Sequence, residues 1–392
     1  MQGKQLITNV TLVTPHMEEN KDLLIDQERI VDIIDRGTSN NENWKIVDGK
    51  NNFLFPGMID VLQHGFLNYM YGDAEKNCTV DNAKILPSVG VTGFLPATPC
   101  LPPEKTKQLL NSLSNDIDNA KEGARVLGIH SEGPCFALPG AHDPKNLRQP
   151  SVELAEELID STKGKLKAVT IAPEMNNSEI FIKKMKKENI SVHLGHSSAD
   201  PHDVPKFADW GVDAVTHMYD ALPTYPPDDT GVHVLSLTDA LIAESRISLG
   251  LICDGIHVHP QLVELLSHLP TDRVFLETDS VKGAGSPVPV KFEFFPGRWC
   301  TVEKGKASTY DGLLAGSSLT SIEALQNYLN FSKKSISQVA IAASLIPAKI
   351  VGMDKDIGSI EKNKLADFIL LNKDSLEITS TYIAGQPVFI NE

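Results

Sequence analysis

Residues 125–134 read Arg-Val-Leu-Gly-Ile-His-Ser-Glu-Gly-Pro. An apolar, β-type run closes on a histidine and a carboxylate, and Gly-Pro stops it. A buried strand that ends in a loop bearing chemistry reads this way. The same grammar recurs along the middle of the chain. Short apolar or β-branched runs at 54–61, 91–96, 125–130, 167–172, 190–194, 214–216, 248–252 and 273–277 predict eight strands. Helical patterns at 104–118, 150–161, 177–187 and 261–269 lie between them. That alternation predicts an α/β fold, a (β/α)8 TIM-type barrel. A Rossmann-type sheet is the alternative, but no GxGxxG follows the first strand.

Outward from the barrel, the two ends of the chain resemble each other. Residues 5–14, 23–35 and 44–48 are short, partly alternating runs between Asn, Asp and Gly turns, and 366–371 and 376–383 repeat the style. They predict one small β-sandwich domain built from both chain termini. The expected division is 1–52 and 349–392 for that domain and 53–348 for the catalytic barrel.

With 392 residues, 41% hydrophobic and 22% charged, the chain reads as a soluble globular protein with a large core. No apolar run approaches the ~20 residues of a membrane span. The first residues show no basic flank, apolar segment and cleavage site in series, so no export signal is expected. The five cysteines are odd in number and lack CxxC spacing. They read as reduced thiols, which points to a cytoplasmic location. A net charge of −15 argues against nucleic-acid and anionic-membrane partners. An anionic substrate would have to be held by a few local cations against that field.

Reactive groups gather where barrel strands end, the face on which barrels build active sites. Strand one ends in Asp60-Val61-Leu62-Gln63-His64, strand three in His130-Ser131-Glu132, strand five in Gly195-His196 and strand six in Thr216-His217. Strand seven ends in Asp254-Gly255-Ile256-His257 and strand eight in Thr278-Asp279. A single strand-end histidine is more often a plain rim residue; the joint pattern decides. Glu132, His196 and His217 offer one oxygen and two nitrogen ligands, the set for a catalytic zinc, with iron or another divalent ion as the alternative. Asp279, across the mouth, suits a general acid and base. Its plainer role, capping a helix, fits poorly with the Gly- and Pro-rich residues 281–289 that follow.

Several segments, in order along nearly the whole chain, resemble the signatures of N-acetylglucosamine-6-phosphate deacetylases. They include Phe55-Pro56-Gly57-Met58-Ile59-Asp60, Gly128-Ile129-His130-Ser131-Glu132-Gly133-Pro134, Gly140-Ala141-His142-Asp143-Pro144 and Thr216-His217-Met218-Tyr219-Asp220-Ala221. Asp254-Gly255-Ile256-His257, Thr278-Asp279 and Leu314-Ala315-Gly316-Ser317 match as well. The resemblance implies an amidohydrolase that removes the N-acetyl group of an amino sugar, with one divalent metal ion per subunit and a homodimeric assembly. It makes Glu132, His196 and His217 the metal ligands and Asp279 the acid/base. Ala141, His142, Asp220, Ala221 and His257 would hold the sugar, and Leu314 and Ala315 would wall the acetyl pocket.

Three departures stand out. Leu62 occupies a first-strand position where relatives carry a ligand, leaving His64 as a secondary candidate, and Ala172-Pro173-Glu174 offers no bridging lysine. Both favour one metal over two. Asp220 stands where the family usually has Asn. Asp228 aligns with a phosphate-binding arginine of the family, so that Lys282 or Arg298 would have to supply the cation if the substrate is phosphorylated. An amidohydrolase acting on another N-acyl or cyclic amide, and a catalytically weak sugar-binding homologue, are the competing readings.

Overall fold

The computed structural model describes residues 3–38, 43–73, 77–223, 231–232, 234–303, 305–309 and 311–391. Its centre is a nearly closed parallel barrel. Strand one is Met58–Gln63, two Val91–Thr98, and three Arg125–Val126 continued by Ile129–Glu132. Four is Leu166–Ile171, five Ser191–Leu194, six Ala214–Val215, seven Ser248–Ile252 and eight Val274–Glu277. Each pairs in parallel with the next, and the Gln63–Ser280 bridge joins strand one to the residues just past strand eight. Helices on the outside cover the strands' second face, so strand two is buried along its whole length.

The helices form where the sequence supplies both an apolar stripe and a cap. Pro103–Asn119 turns Leu109, Leu110 and Leu113 inward, Ser151 caps Val152–Ser161, and Thr320 with Glu323 makes a capping box for Ser321–Ser332. The segment expected as one strand over 54–61 is divided. Strand Lys45–Pro56 belongs to the terminal sheet, and the barrel begins at Met58. Gly57 makes the break possible, because a Cβ there would lie 2.1 Å from Thr92 Oγ1.

Both termini contribute to the second sheet. Its order runs from Gln386–Ile390 through Ile378–Ile383, Phe368–Leu371, Lys45–Pro56, Gln5–Val13 and Lys21–Asp26 to Arg29–Asp35. An Arg29–Leu365 bridge brings the far edge back, so that Ile7, Leu23, Ile30, Phe368 and Tyr382 share one core. Arg125 fastens this domain to the barrel, with Nε 2.8 Å and Nη2 3.2 Å from the two oxygens of buried Asp367.

Between strand eight and helix Ser321–Ser332 the chain makes a three-stranded antiparallel sheet, Val290–Phe295, Arg298–Glu303 and Lys306–Thr309. Phe292, Cys300, Val302 and Ala307 pack it onto Met70, Val281 and Ala315, over the barrel mouth. No helix among the described residues is long and apolar enough to cross a membrane.

Candidate active site

The carboxyl ends of the strands converge on a cavity of about 300 Å³. Glu132 is the last residue of strand three, while His196, His217 and Asp279 each lie two residues past strands five, six and eight. Those three share left-handed backbone, at φ 51°, 37° and 50°, which turns the chain sharply and sets each side chain over the mouth. Non-glycine residues pay for this conformation in steric strain, so local bonds must hold it. Asp279 N donates to the Leu62 carbonyl at 2.9 Å, and His217 N to Glu277 Oε1 at 2.6 Å.

Glu132 is the hub. Its Oε1 lies 3.1 Å from His217 Nε2 and 3.4 Å from His196 Nε2, and its Oε2 lies 3.2 Å from His142 Nε2 and 3.0 Å from His64 Nε2. One ligand atom from each of Glu132, His196 and His217 fits within 4.8 Å of the others. The His196 imidazole is oriented for that work. His196 Nδ1 lies 3.0 Å from the Leu138 carbonyl, to which it donates, so Nε2 keeps its lone pair for an ion. Phe136 stacks on the His196 ring at 4.1 Å, and a Cβ at Gly140 would lie 2.8 Å from that ring. Buried His217 Nδ1 has no partner among the described residues. Donor set, orientation and burial all fit a divalent ion.

His142 is arranged the other way. Its Nδ1 accepts from Cys100 N at 3.3 Å, so its hydrogen is on Nε2, directed at Glu132. His64 Nε2 sits between Glu132 and Asp279, 3.3 Å from Asp279 Oδ1. Burial lowers the His64 pKa, but its bonds to Asp279 and Glu132 outweigh that and raise it to about 10 in the metal-free chain. Burial pushes the Glu132 carboxyl up, yet His142, His196 and His217 hold it well below its ordinary value. Burial likewise lowers His217, and Glu132, Asp220 and Asp279 bring it up to about 10.

Of the residues singled out from sequence, His64, Glu132, Ala141, His142, His196, His217, Asp220, Ala221, Asp279, Leu314 and Ala315 all line the cavity. His257 is not among the lining residues; Asp254 Oδ2 holds its Nδ1 at 2.6 Å. Lys282 is also outside the lining, 4.0 Å from Asp73. Asp228 lies outside the described residues. Leu62 is fully buried, and Glu174 is occupied by Ser197 Oγ and Ser198 N, so neither faces an ion. Phe294, Leu313 and the Leu138 carbonyl were not anticipated. Among the described lining residues there is no lysine or arginine; Arg298 stands at the rim, with Nη1 3.2 Å from the Ala141 carbonyl.

The model of the amidohydrolase family matches residues 53–388. The N-acetylglucosamine-6-phosphate deacetylase of Danio rerio is 31% identical, over 88% of this chain and 86% of its own. The enzyme of that name from Bacillus subtilis is 32% identical, over 86% and 85%. The chain belongs to the amidohydrolase family, among the N-acetylglucosamine-6-phosphate deacetylases. An N-acetylgalactosamine-6-phosphate deacetylase from Escherichia coli O157:H7 is 30% identical, over 85% of this chain and 87% of its own. The solved N-acetylglucosamine-6-phosphate deacetylase of Thermotoga maritima superimposes with a TM-score of 0.85 at 29% identity, covering 99% of this chain and all of that one. The family is metal-dependent, and the Glu132, His196 and His217 triad is where this chain can hold the ion.

Proposed function

We propose that this protein hydrolyses the N-acetyl group of an amino sugar, N-acetylglucosamine 6-phosphate or a near N-acetylhexosamine relative, giving acetate and the free amine. The observation that carries the reading is the meeting of Glu132, His196 and His217 with Asp279 in one cavity. Glu132, His196 and His217 hold one divalent ion, zinc before iron, and buried Leu62 and the occupied Glu174 support one ion rather than two. When bound, such an ion polarises the amide carbonyl and makes water a nucleophile near neutral pH.

The chain's own groups do the rest. Asp279 takes the proton from the attacking water and delivers it to the leaving nitrogen. His64, within 3.3 Å of Asp279 Oδ1, holds that carboxylate toward the cavity and is the secondary candidate for proton transfer. Ala141, His142, Asp220, Ala221 and His257 orient the sugar. Leu314 and Ala315, joined by Leu313 and Phe294, wall the acetyl methyl and exclude water. The 6-phosphate meets Arg298 or Lys282, or is recognised weakly, because Asp228 stands at the arginine position of the family.

Five free, buried cysteines support a cytoplasmic location, and the family resemblance supports a homodimer. The test is a panel assay of acetate release. N-acetylglucosamine and N-acetylgalactosamine, each with and without a 6-phosphate, should include the best substrate. Turnover confined to N-acyl amino acids or cyclic amides would replace this reading by the broader amidohydrolase one.

A further inference from the structure

One buried carboxylate beneath the site takes no part in that chemistry. Glu277, the last residue of strand eight, is 1% exposed and forms no salt bridge among the described residues, the His217 imidazole acting on it only electrostatically. Its Oε1 accepts from the backbone N–H of His217 at 2.6 Å, and its Oε2 is buried without a partner among the described residues. Burying a carboxyl with one oxygen unsatisfied costs several kcal/mol. Packing alone gives no return for that cost, and an aliphatic side chain would fill strand eight more cheaply.

The return lies in what Glu277 holds. Strand six is only Ala214–Val215, so the ladder stops before His217 and leaves that residue at φ 37°. Thr216 N and Met218 N on either side are tied to the Leu194 and Gly250 carbonyls at 2.9 and 2.7 Å, which leaves the His217 N–H directed into the barrel. Glu277 is what meets it. The neighbouring strand seven makes room, because a Cβ on Gly250 would lie 2.3 Å from Glu277 Oε1. We propose that Glu277 is a positioning residue. By accepting the His217 N–H it fixes that residue's left-handed turn, and so the direction of the His217 imidazole toward Glu132 and the ion.

This inference rests on His217 being a metal ligand, and the experiment separates the two claims. Apo protein is titrated with Zn²⁺ against a chromophoric chelator, and the Co²⁺ form is examined by visible absorption, for wild type, His217→Ala, Glu277→Leu, Glu277→Gln and Gly250→Ala. Glu277→Leu should weaken metal binding about 10- to 100-fold, the range for an outer partner of a ligand, and shift the Co²⁺ bands. Glu277→Gln keeps an acceptor oxygen and should restore affinity to within about threefold of wild type. Gly250→Ala displaces the carboxylate without altering it, and should reproduce the Leu variant even if that protein folds poorly. At saturating metal, kcat should fall more than KM rises. Wild-type affinity and spectrum in the Leu or Ala variant would overturn the positioning role, as would a Gln variant as weak as Leu. Unchanged affinity in His217→Ala would instead remove the ligand assignment itself.

Discussion

Replacing Asp279 by Asn removes a proton acceptor while leaving its surroundings nearly intact. Residue 279 adopts φ 50°, a region asparagine enters more readily than most residues. Its backbone bonds, N to the Leu62 carbonyl at 2.9 Å and its own carbonyl to Ser317 N at 2.8 Å, do not involve the side chain. An amide oxygen can still accept from His64 Nε2, now 3.3 Å from Oδ1. The fold and the metal triad should therefore survive, and the loss should be one of chemistry. General acid–base catalysis contributes about 10²- to 10⁴-fold, or roughly 2.7–5.5 kcal/mol of barrier. We expect Asp279→Asn to lower kcat by at least about 100-fold, with metal content unchanged by elemental analysis. Having lost one of its two carboxylate partners, His64 should also titrate lower in the metal-free variant, readable from its imidazole resonances. Near-normal kcat in a metal-loaded Asp279→Asn protein would refute the assignment and make His64 the next candidate.

Three further outcomes are expected. Phe136→Ala removes the ring stacked at 4.1 Å on His196 and should weaken metal binding by about tenfold or more in a chelator competition, whereas unchanged affinity would mean that Leu138 alone orients that imidazole. Arg125→Met strands the buried Asp367 carboxylate; a broken buried pair costs about 3–5 kcal/mol, and partial exposure of Arg125 reduces this to about 2 kcal/mol, read as a lower urea midpoint, with an unshifted midpoint counting against the pair as the domain fastening. Asp228→Arg should raise kcat/KM on a 6-phosphorylated sugar by tens-fold or more, from the ~2–5 kcal/mol of a charge-assisted contact, and lower it on the neutral sugar. Strong wild-type preference for the phosphate that survives both this change and Lys282→Ala would show that the cation lies elsewhere.

Much of the barrel was legible because its signals are local. Glu132, His196, His217 and Asp279 follow apolar runs of strand length, and the barrel's geometry then brings strand ends together whatever their separation in sequence. The rest depended on distances that no local pattern encodes. His64 read as a secondary residue, but it lies 3.0 Å from Glu132 because strands one and three flank strand two and end at the same rim of the barrel. Glu277 read as the ordinary close of strand eight, since nothing in sequence says that it faces the His217 N–H. The sheet over 290–309 was missed despite a visible cue. Val290-Lys291-Phe292-Glu293-Phe294 alternates with period two and runs into Pro296-Gly297, yet it lies beyond the eighth strand, where the barrel pattern needs no further strand. The single run at 54–61 hid a change of sheet at Gly57, which only the neighbouring Thr92 reveals.

The most direct measurement is a metal titration of the stripped protein, followed by acetate release from N-acetylglucosamine 6-phosphate and from N-acetylglucosamine. We expect no turnover without metal and a rise that saturates at about one zinc ion per chain. Glu132→Gln and His217→Ala should require far more metal or remain inactive. Acetate release from the stripped protein, a rise that saturates only at two ions per chain, or no release from any N-acetylhexosamine at full loading would contradict it.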